Sequence, residues 1–165
     1  MMNQPRLDDT DWAILHELQA DARLSYAEIG RRVGLSSPAV QERVRRMEDA
    51  GIIKGYHADI NPAKVGFPII AFTRLKQVNG KDRAKVIEII QNTPEILESI
   101  DITGEDGFVL NIIATSHDHL DYILGKFVEY GQTVTGILMK TFIENRVIKQ
   151  NTLNFDENAD DVQDW

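Results

Sequence analysis

The sequence predicts an α+β protein, with an N-terminal winged helix-turn-helix domain ahead of a C-terminal βαββαβ, ferredoxin-like domain. Two observations carry this. The first is a pair of short amphipathic segments, Tyr26 to Val33 and a helix within Leu35 to Gly51, joined at Gly34 with bases on the outer face of the second. That is the layout of a helix-turn-helix unit. The second is the alternation of β-rich and helix-periodic segments after residue 66, in the order β-α-β-β-α-β. The expected division is a DNA-binding domain over residues 1–60, a linker over 61–66, a βαββαβ domain over 67–150, and an acidic tail over 151–165.

In chain order, Asp9 to Ala20 reads as a first helix, with Trp12 or Ile14, Leu15 and Leu18 turned inward. Asp8, Asp9 and Asp11 suit the positive end of its dipole. Ser25 caps the second helix, and Glu28 stands in the capping-box position. Ser36 or Ser37 caps the third, Pro38 fits its first turn and Gly51 stops it. Val40, Val44 and Met47 form the buried stripe of that third helix. At ~100° per residue, Glu42, Arg45 and Arg46 point away from the stripe, and Gln41 and Arg43 lie on its flanks. Such a helix can enter a major groove, where Arg and Gln present forked donors to phosphates and base edges. Residues Ile52 to Ile60 are β-prone and suit a small wing that brings Lys54 to the phosphate backbone.

Beyond the linker, strands are expected over Phe67 to Val78, Ile96 to Thr103, Phe108 to Thr115 and Val134 to about Gln150. The last is a long strand with Ile137, Met139, Thr141 and Ile143 on one face. Helices are expected over Lys81 to Gln91 and His117 to Tyr130. Leu120, Ile123, Leu124, Phe127 and Val128 make the inner face of the second of these. Such a sheet carries its helices on one side, and the apolar content of the other side suggests dimerisation.

The formal net charge of the 165 residues is −8, but its distribution favours a nucleic-acid partner. Residues 23–54 hold seven bases against four acids, whereas residues 1–22 hold one base against five acids and the tail after Gln150 holds five acids and no base. With no cysteine there is no disulfide framework or thiolate metal site. No apolar run is long enough to span a membrane and no signal core opens the chain, so a cytoplasmic protein with no membrane association is expected. No metal ligand set, phosphate loop or nucleophile–base pair stands out. His117 and His119 would point ~200° apart at a helix start, so they would not share a metal, and no catalytic residue, metal or cofactor is expected. The acidic tail reads as polar and loosely docked, with Trp165 as a candidate anchor.

From about Leu7 to Leu153 the chain resembles the leucine-responsive regulator/AsnC family of prokaryotic transcription factors. The resemblance rests on Leu7-Asp8, Asp11, Ile14-Leu15, Leu18-Gln19 and Asp21-Ala22-Arg23 at the start. It continues through Glu28-Ile29-Gly30 and Val33-Gly34-Leu35-Ser36, then Val40, Arg43-Val44, Arg46-Met47-Glu48, Gly51-Ile52-Ile53 and Gly55-Tyr56. It implies a winged helix-turn-helix that binds double-stranded DNA, dimers built through the effector domain, often octamers as four dimers, and control by an amino acid or related metabolite. Carried over by position, Ser36 and Ser37 approach the DNA backbone, and Gln41, Glu42 and Arg45 are candidates for base edges. Arg43 and Arg46 hold phosphates or nearby bases, although Arg43 could equally pair with Glu48 or cap a carbonyl. Lys54 serves the wing, and Arg23, Ser25 and Tyr26 touch the backbone.

The effector-binding stretch departs from the family. Gly104 is followed by Glu105, Asp106 and Gly107, so the acids come before the aspartate position of the family's Gly-x-x-Asp turn, which is glycine here. Where the family offers Thr-x-Thr, this chain has Ile137-Leu138-Met139. Losing those anchors disfavours an ordinary polar amino acid, because a desolvated zwitterion needs paired charges. Two readings stay open: a less polar or aromatic effector held by Glu105 or Asp106, or an effector-independent architectural DNA-binding protein. A small ferredoxin-like dimeric enzyme is the different-class alternative.

Overall fold

The computed structural model describes residues 6–77, 82–104 and 107–150. Glu105, Asp106 and the tail from residue 151, including Trp165, lie outside the described residues. The contacts divide the chain into two units. One comprises residues 1–58 together with 143–165, the other residues 59–142.

In the first unit, Asp8 caps α1 (Asp9–Ala20), Ser25 caps α2 (Tyr26–Val33) and Ser36 caps α3 (Ser37–Asp49). Each cap offers a side-chain oxygen to an otherwise unpaired amide of the first turn. Gly34 ends α2 in the left-handed conformation, φ 73°. The three helices enclose one core of Ile14, Leu15, Leu18, Ile29, Val40, Val44 and Met47. Trp12, Tyr26, Ile52 and Ile53 pack around it, half-buried. Residues 143–150 close on α1. The Gln19 amide accepts from Ile148 N (2.9 Å) and donates to Ile148 O (3.2 Å), and Gln150 Nε2 donates to Asp9 Oδ1 (3.1 Å).

The second unit holds β1 (Ile69–Gln77), α4 (Arg83–Gln91), β2 (Ile96–Asp101), β3 (Phe108–Ala114), α5 (His117–Gly125) and β4 (Gly131–Ile137). All neighbouring strands are antiparallel, in the order β2-β3-β1-β4. Ile69, Ala71, Leu75, Phe108, Leu110, Ile112 and Ala114 line the sheet face that packs with Val86 of α4, with Leu120 and Ile123 of α5 and with Phe127. Thr73 is fully buried on this face, and its hydroxyl is satisfied by Thr135 Oγ1 at 2.9 Å. Phe72, Ile100 and Val134, on the opposite face, are half exposed.

Three expected elements differ. Residues 52–60 contain no strand, so the wing is absent as a β element. The amides of Ile52 and Ile53 bond instead to Met47 O, which ties the segment to the end of α3. The last strand stops at Ile137 rather than near Gln150, because its partner β1 runs out there. Ile137 pairs with Ala71, and Leu138 N makes a last bond to Ile70 O. Met139 is therefore 92% exposed instead of sharing a sheet face with Ile137. Finally, α5 ends at Gly125, not Tyr130. The chain tightens into i→i−3 bonds from Lys126 to Ile123 and from Phe127 to Leu124. Phe127 stays fully buried while Val128 turns out to solvent.

The bend between α2 and α3 depends on a close backbone approach at Gly30. Leu35 N donates to Gly30 O (2.8 Å), and a Cβ on Gly30 would collide with the Leu35 carbonyl oxygen. Gly30→Ala is expected to destabilise the first unit by about 1–2 kcal/mol, the steric cost exceeding alanine's better helix propensity. Urea denaturation of the variant against the parent checks this.

Candidate functional site

The third helix carries arginines on two flanks, and the structure treats the two differently. Asp11 of α1 is 1% exposed. Its carboxylate accepts from Arg43 Nη1 (2.7 Å) and, on both oxygens, from Arg46 Nη2 (2.8 and 2.7 Å). Asp8 accepts from the same Arg43 nitrogen at 2.9 and 2.8 Å. The two aspartates also form a reciprocal capping box: Asp11 N donates to Asp8 Oδ1, and Asp8 N to Asp11 Oδ2. The acids at the start of α1 thus do more than complement its dipole. They bind α3 to α1 across the core. The Arg43 side chain is only 26% exposed, so it is directed into this cluster and not outward to phosphates. It does not pair with Glu48, whose carboxylate instead accepts from the Tyr56 hydroxyl at 2.9 Å. Arg46 is half exposed but is held by Asp11 in the same way.

Arg43 holds the Asp8 carboxyl below the usual carboxylate range, with the Asp11 amide adding to the effect. The Arg43 guanidinium is pushed up correspondingly by Asp8 and Asp11. Burial first, and then the bond to Glu48, pushes the Tyr56 phenol up to about 12.

The other flank of α3 is open. Ser37, Gln41 and Arg45 recur every fourth residue, and all three are exposed. The Arg45 side chain is 76% exposed, 3.8 Å from Asp49, a loose surface pair. Glu42 is exposed next to this stripe. Ser36 lies at the N-terminus of α3 and uses its hydroxyl oxygen on Ala39 N at 3.4 Å. Ser25 is likewise engaged as the cap of α2, accepting from Glu28 N. Tyr26 packs, half-buried, at the edge of the helical core, whereas Arg23 is exposed. Lys54 is exposed and lines a cleft of about 510 Å³ with Leu7, Trp12, Tyr56 and Ile148. Sequence reasoning assigned the outward Arg45 and Arg46 to DNA and left the flanking Arg43 open between DNA, pairing with Glu48 and capping a carbonyl. It missed the clamp, although Asp8 and Asp11 at the head of α1 were its signal.

Of the expected effector residues, Gly104, Gly107, Ile137 and Met139 are described. Gly104 adopts φ 111° in the turn after β2, and Gly107 N donates to Leu75 O at 2.9 Å. Glu105 and Asp106 fall outside the described residues. Ile137 is 41% exposed at the end of β4, and Met139 lies beyond the strand. His119, for which no catalytic or metal role is expected, is engaged by its neighbours. Its Nε2 lies 3.3 Å from Glu95 Oε1, and its Nδ1 faces Thr115 Oγ1 at 3.0 Å. Among the described residues, no group of three or more His, Cys, Asp or Glu could hold a metal, and no helix is long and apolar enough to cross a membrane.

Removing the buried acid takes from Arg46 the carboxylate that holds it and leaves Arg43 with Asp8 alone. Asp11→Ala is expected to cost about 2–3 kcal/mol, below the ~3–5 typical of breaking a fully buried pair, because Arg46 is half exposed. The Asp8 pKa is depressed on folding, so its contribution is present above the unfolded value and is lost as pH falls through the folded one. Stability should hold steady from pH 7 to 5 and decline below about pH 4. Asp8→Asn should blunt that decline in denaturation curves taken across this range.

Residues 7–48 match the AsnC-type helix-turn-helix domain, and residues 70–148 match the Lrp/AsnC ligand binding domain. The chain is 36% identical over 133 residues to the HTH-type transcriptional regulator LrpC of Bacillus subtilis, covering 81% of this chain and 92% of that protein. It is 32% identical over 142 residues to LrpA of Mycobacterium tuberculosis, covering 85% and 95%. Among solved structures, B. subtilis LrpC superposes with a TM-score of 0.79 at 35% identity, covering 86% of this chain and 99% of that one. A Neisseria meningitidis transcriptional regulator in complex with L-Met gives 0.81 at 26% identity, covering 90% and 100%. The M. tuberculosis feast or famine regulatory protein complexed with L-methionine gives 0.78 at 32%, covering 86% and 97%. With both of its units matched in order, the chain belongs to the Lrp/AsnC family of DNA-binding transcriptional regulators.

Proposed function

We propose that α3 reads DNA through its open flank, with Gln41 and Arg45 reaching base edges and Glu42 beside them. Arg23, Ser25, Ser36, Ser37 and Lys54 hold the backbone. The observation that carries this reading is the division of α3. Arg43 and Arg46 are tied to Asp11, while Ser37, Gln41 and Arg45 form an exposed, four-residue-spaced stripe on a helix anchored by Val40, Val44 and Met47. Arg43 and Arg46 then act as braces that orient the reading stripe. Tyr26 belongs to the support of α2.

The test uses the DNA upstream of the chain's own gene, at two salt concentrations. Arg45→Ala is expected to lower affinity for that fragment about 10-fold, with unchanged thermal stability; a bidentate base contact contributes ~1–3 kcal/mol of discrimination. Arg43→Ala should lower stability and DNA affinity together. Affinity of the parent should fall steeply as salt rises. Equal binding by parent and Arg45→Ala would remove the groove assignment.

The second unit is proposed to bind an apolar amino acid and to assemble the chain into dimers or multiples of them through the uncovered sheet face. The matched ligand-binding domain and the relatives solved with L-methionine support the first part. Ile137 and Met139, in place of hydroxyl side chains, favour an apolar ligand. L-Methionine is the first probe. It should raise the melting temperature in a concentration-dependent way, whereas L-aspartate should not. No shift with any amino acid would favour an effector-independent architectural role.

A further inference from the structure

The first unit holds a cleft that reading DNA through α3 does not use. It is the opening of about 510 Å³ beside Lys54, within the ~300–1,000 Å³ typical of ligand sites. Its lining is mainly apolar, with Leu7, Trp12, Ile52 and Ile148, and it carries Lys54 and His57 at exposed positions. Among the described residues no acid lines it, and no ion pair engages Lys54. An occupant that fits this lining has an apolar group for the cleft and negative charge beside it.

We propose that the acidic tail of the same chain is that occupant: Phe155 enters the cleft, Asp156 and Glu157 meet Lys54, and the docked tail withholds Lys54 from DNA. The last step rests on the DNA reading above and adds a control to it. Position is the first argument. Ile148 itself lines the cleft, where Gln19 holds its backbone N and O. Gln150 is fastened to Asp9 of α1. Residue 151 therefore starts beside the cleft, and the five residues from there to Phe155 span at most ~17 Å, enough to turn back over it. Composition is the second argument. Residues 151–165 carry five acids and no base, with Leu153, Phe155, Val162 and Trp165 among them. Phe155 is followed directly by Asp156 and Glu157, the order that an apolar cleft with a cation at its side requires. These residues lie beyond the match to the Lrp/AsnC ligand binding domain, which ends at residue 148.

A modest contact is sufficient. A tethered segment acts at an effective concentration on the order of mM, so weak intrinsic affinity still populates the docked form. Burial of the phenyl ring supplies most of the attraction. The carboxylates at Lys54 add direction and make docking weaken with salt. Tail and phosphate compete for one ammonium, so apparent DNA affinity falls by the fraction of chains left open. With about four chains in five docked, the loss is about five-fold.

The test reads docking and DNA binding separately, on the full chain. Trp165→Phe leaves Trp12 as the sole tryptophan, and Asn158→Cys gives a single cysteine for a nitroxide, which quenches an indole at close range. Trp12 emission should fall by about half or more against the same chain carrying a diamagnetic analogue. It should recover when Phe155→Ser is added, and should stay quenched when the labelled chain is mixed with an excess of unlabelled Trp12→Phe chain. In the otherwise native chain, Phe155→Ser should raise affinity for the upstream fragment about five-fold at low salt, and less as salt rises. Its net charge is unchanged, so that gain does not come from reduced repulsion. An unquenched Trp12 overturns the docking whatever the DNA result. Quenching that survives Phe155→Ser overturns the anchor, and quenching lost on mixing puts the tail on another copy and overturns the same-chain contact. Quenching together with unchanged DNA affinity in Phe155→Ser overturns the withholding of Lys54. Equal DNA binding by parent and Arg45→Ala removes only the groove reading, and the emission of Trp12 still decides the docking.

Discussion

The buried carboxylate of Asp11 decides what the third helix can do. A charge at 1% exposure is tolerated only when it is fully paired. Here it is paired by two arginines one turn apart on α3. Hydrophobic packing of Val40, Val44 and Met47 would hold α3 against the core yet leave its rotation and sliding loosely set, because apolar contacts are not directional. Two charge-assisted bonds from one turn of α3 to one carboxylate of α1 remove that freedom. The flank carrying Ser37, Gln41 and Arg45 is then presented at a defined angle.

The same clamp accounts for an acidic DNA-binding protein. The base-rich stretch from residue 23 to 54 does not present all its charge to solvent. Arg43 and Arg46 are answered by Asp8 and Asp11, and Arg32 by Glu17 at 2.5 Å. Asp8, Asp11 and Glu17 are the internal counterions of these arginines. A weakly charged recognition surface gives little nonspecific attraction to DNA. Under the proposed reading, affinity comes from specific contacts and from several copies engaging one DNA, where tethering multiplies modest individual contacts.

Much of the architecture was legible in local chemistry. Ser25, Ser36 and Gly34 mark helix ends by satisfying backbone groups within a few residues, so their positions follow from sequence alone. The order of strands and helices after residue 66 was readable from periodicity for the same reason. The misreadings share a different origin. Whether β4 continues past Ile137 depends on where β1 begins, and whether Val128 faces inward depends on how α5 tightens beyond Gly125. On a helical projection Arg46 looks solvent-directed and Arg43 only flanks the stripe, because the projection omits α1 and its aspartates. In each case a residue distant in sequence or a change of helical pitch decided the outcome.

The second unit presents the complementary situation, a sheet completed on one side only. Its helix-covered face is apolar and closed, with Thr73 and Thr135 satisfying each other. Its other face is half apolar and open, and the segment after β4 leaves Ile137 and Met139 exposed. Under the proposed reading, a ligand that touches those residues is enclosed only when another chain covers them. Ligand binding and assembly would then be linked without any further device, because whatever binds the assembled state alone must favour assembly. On the same reading, helix-turn-helix units held together in several copies would bind DNA more tightly than one alone. An effector that shifts assembly therefore changes DNA affinity without touching α3.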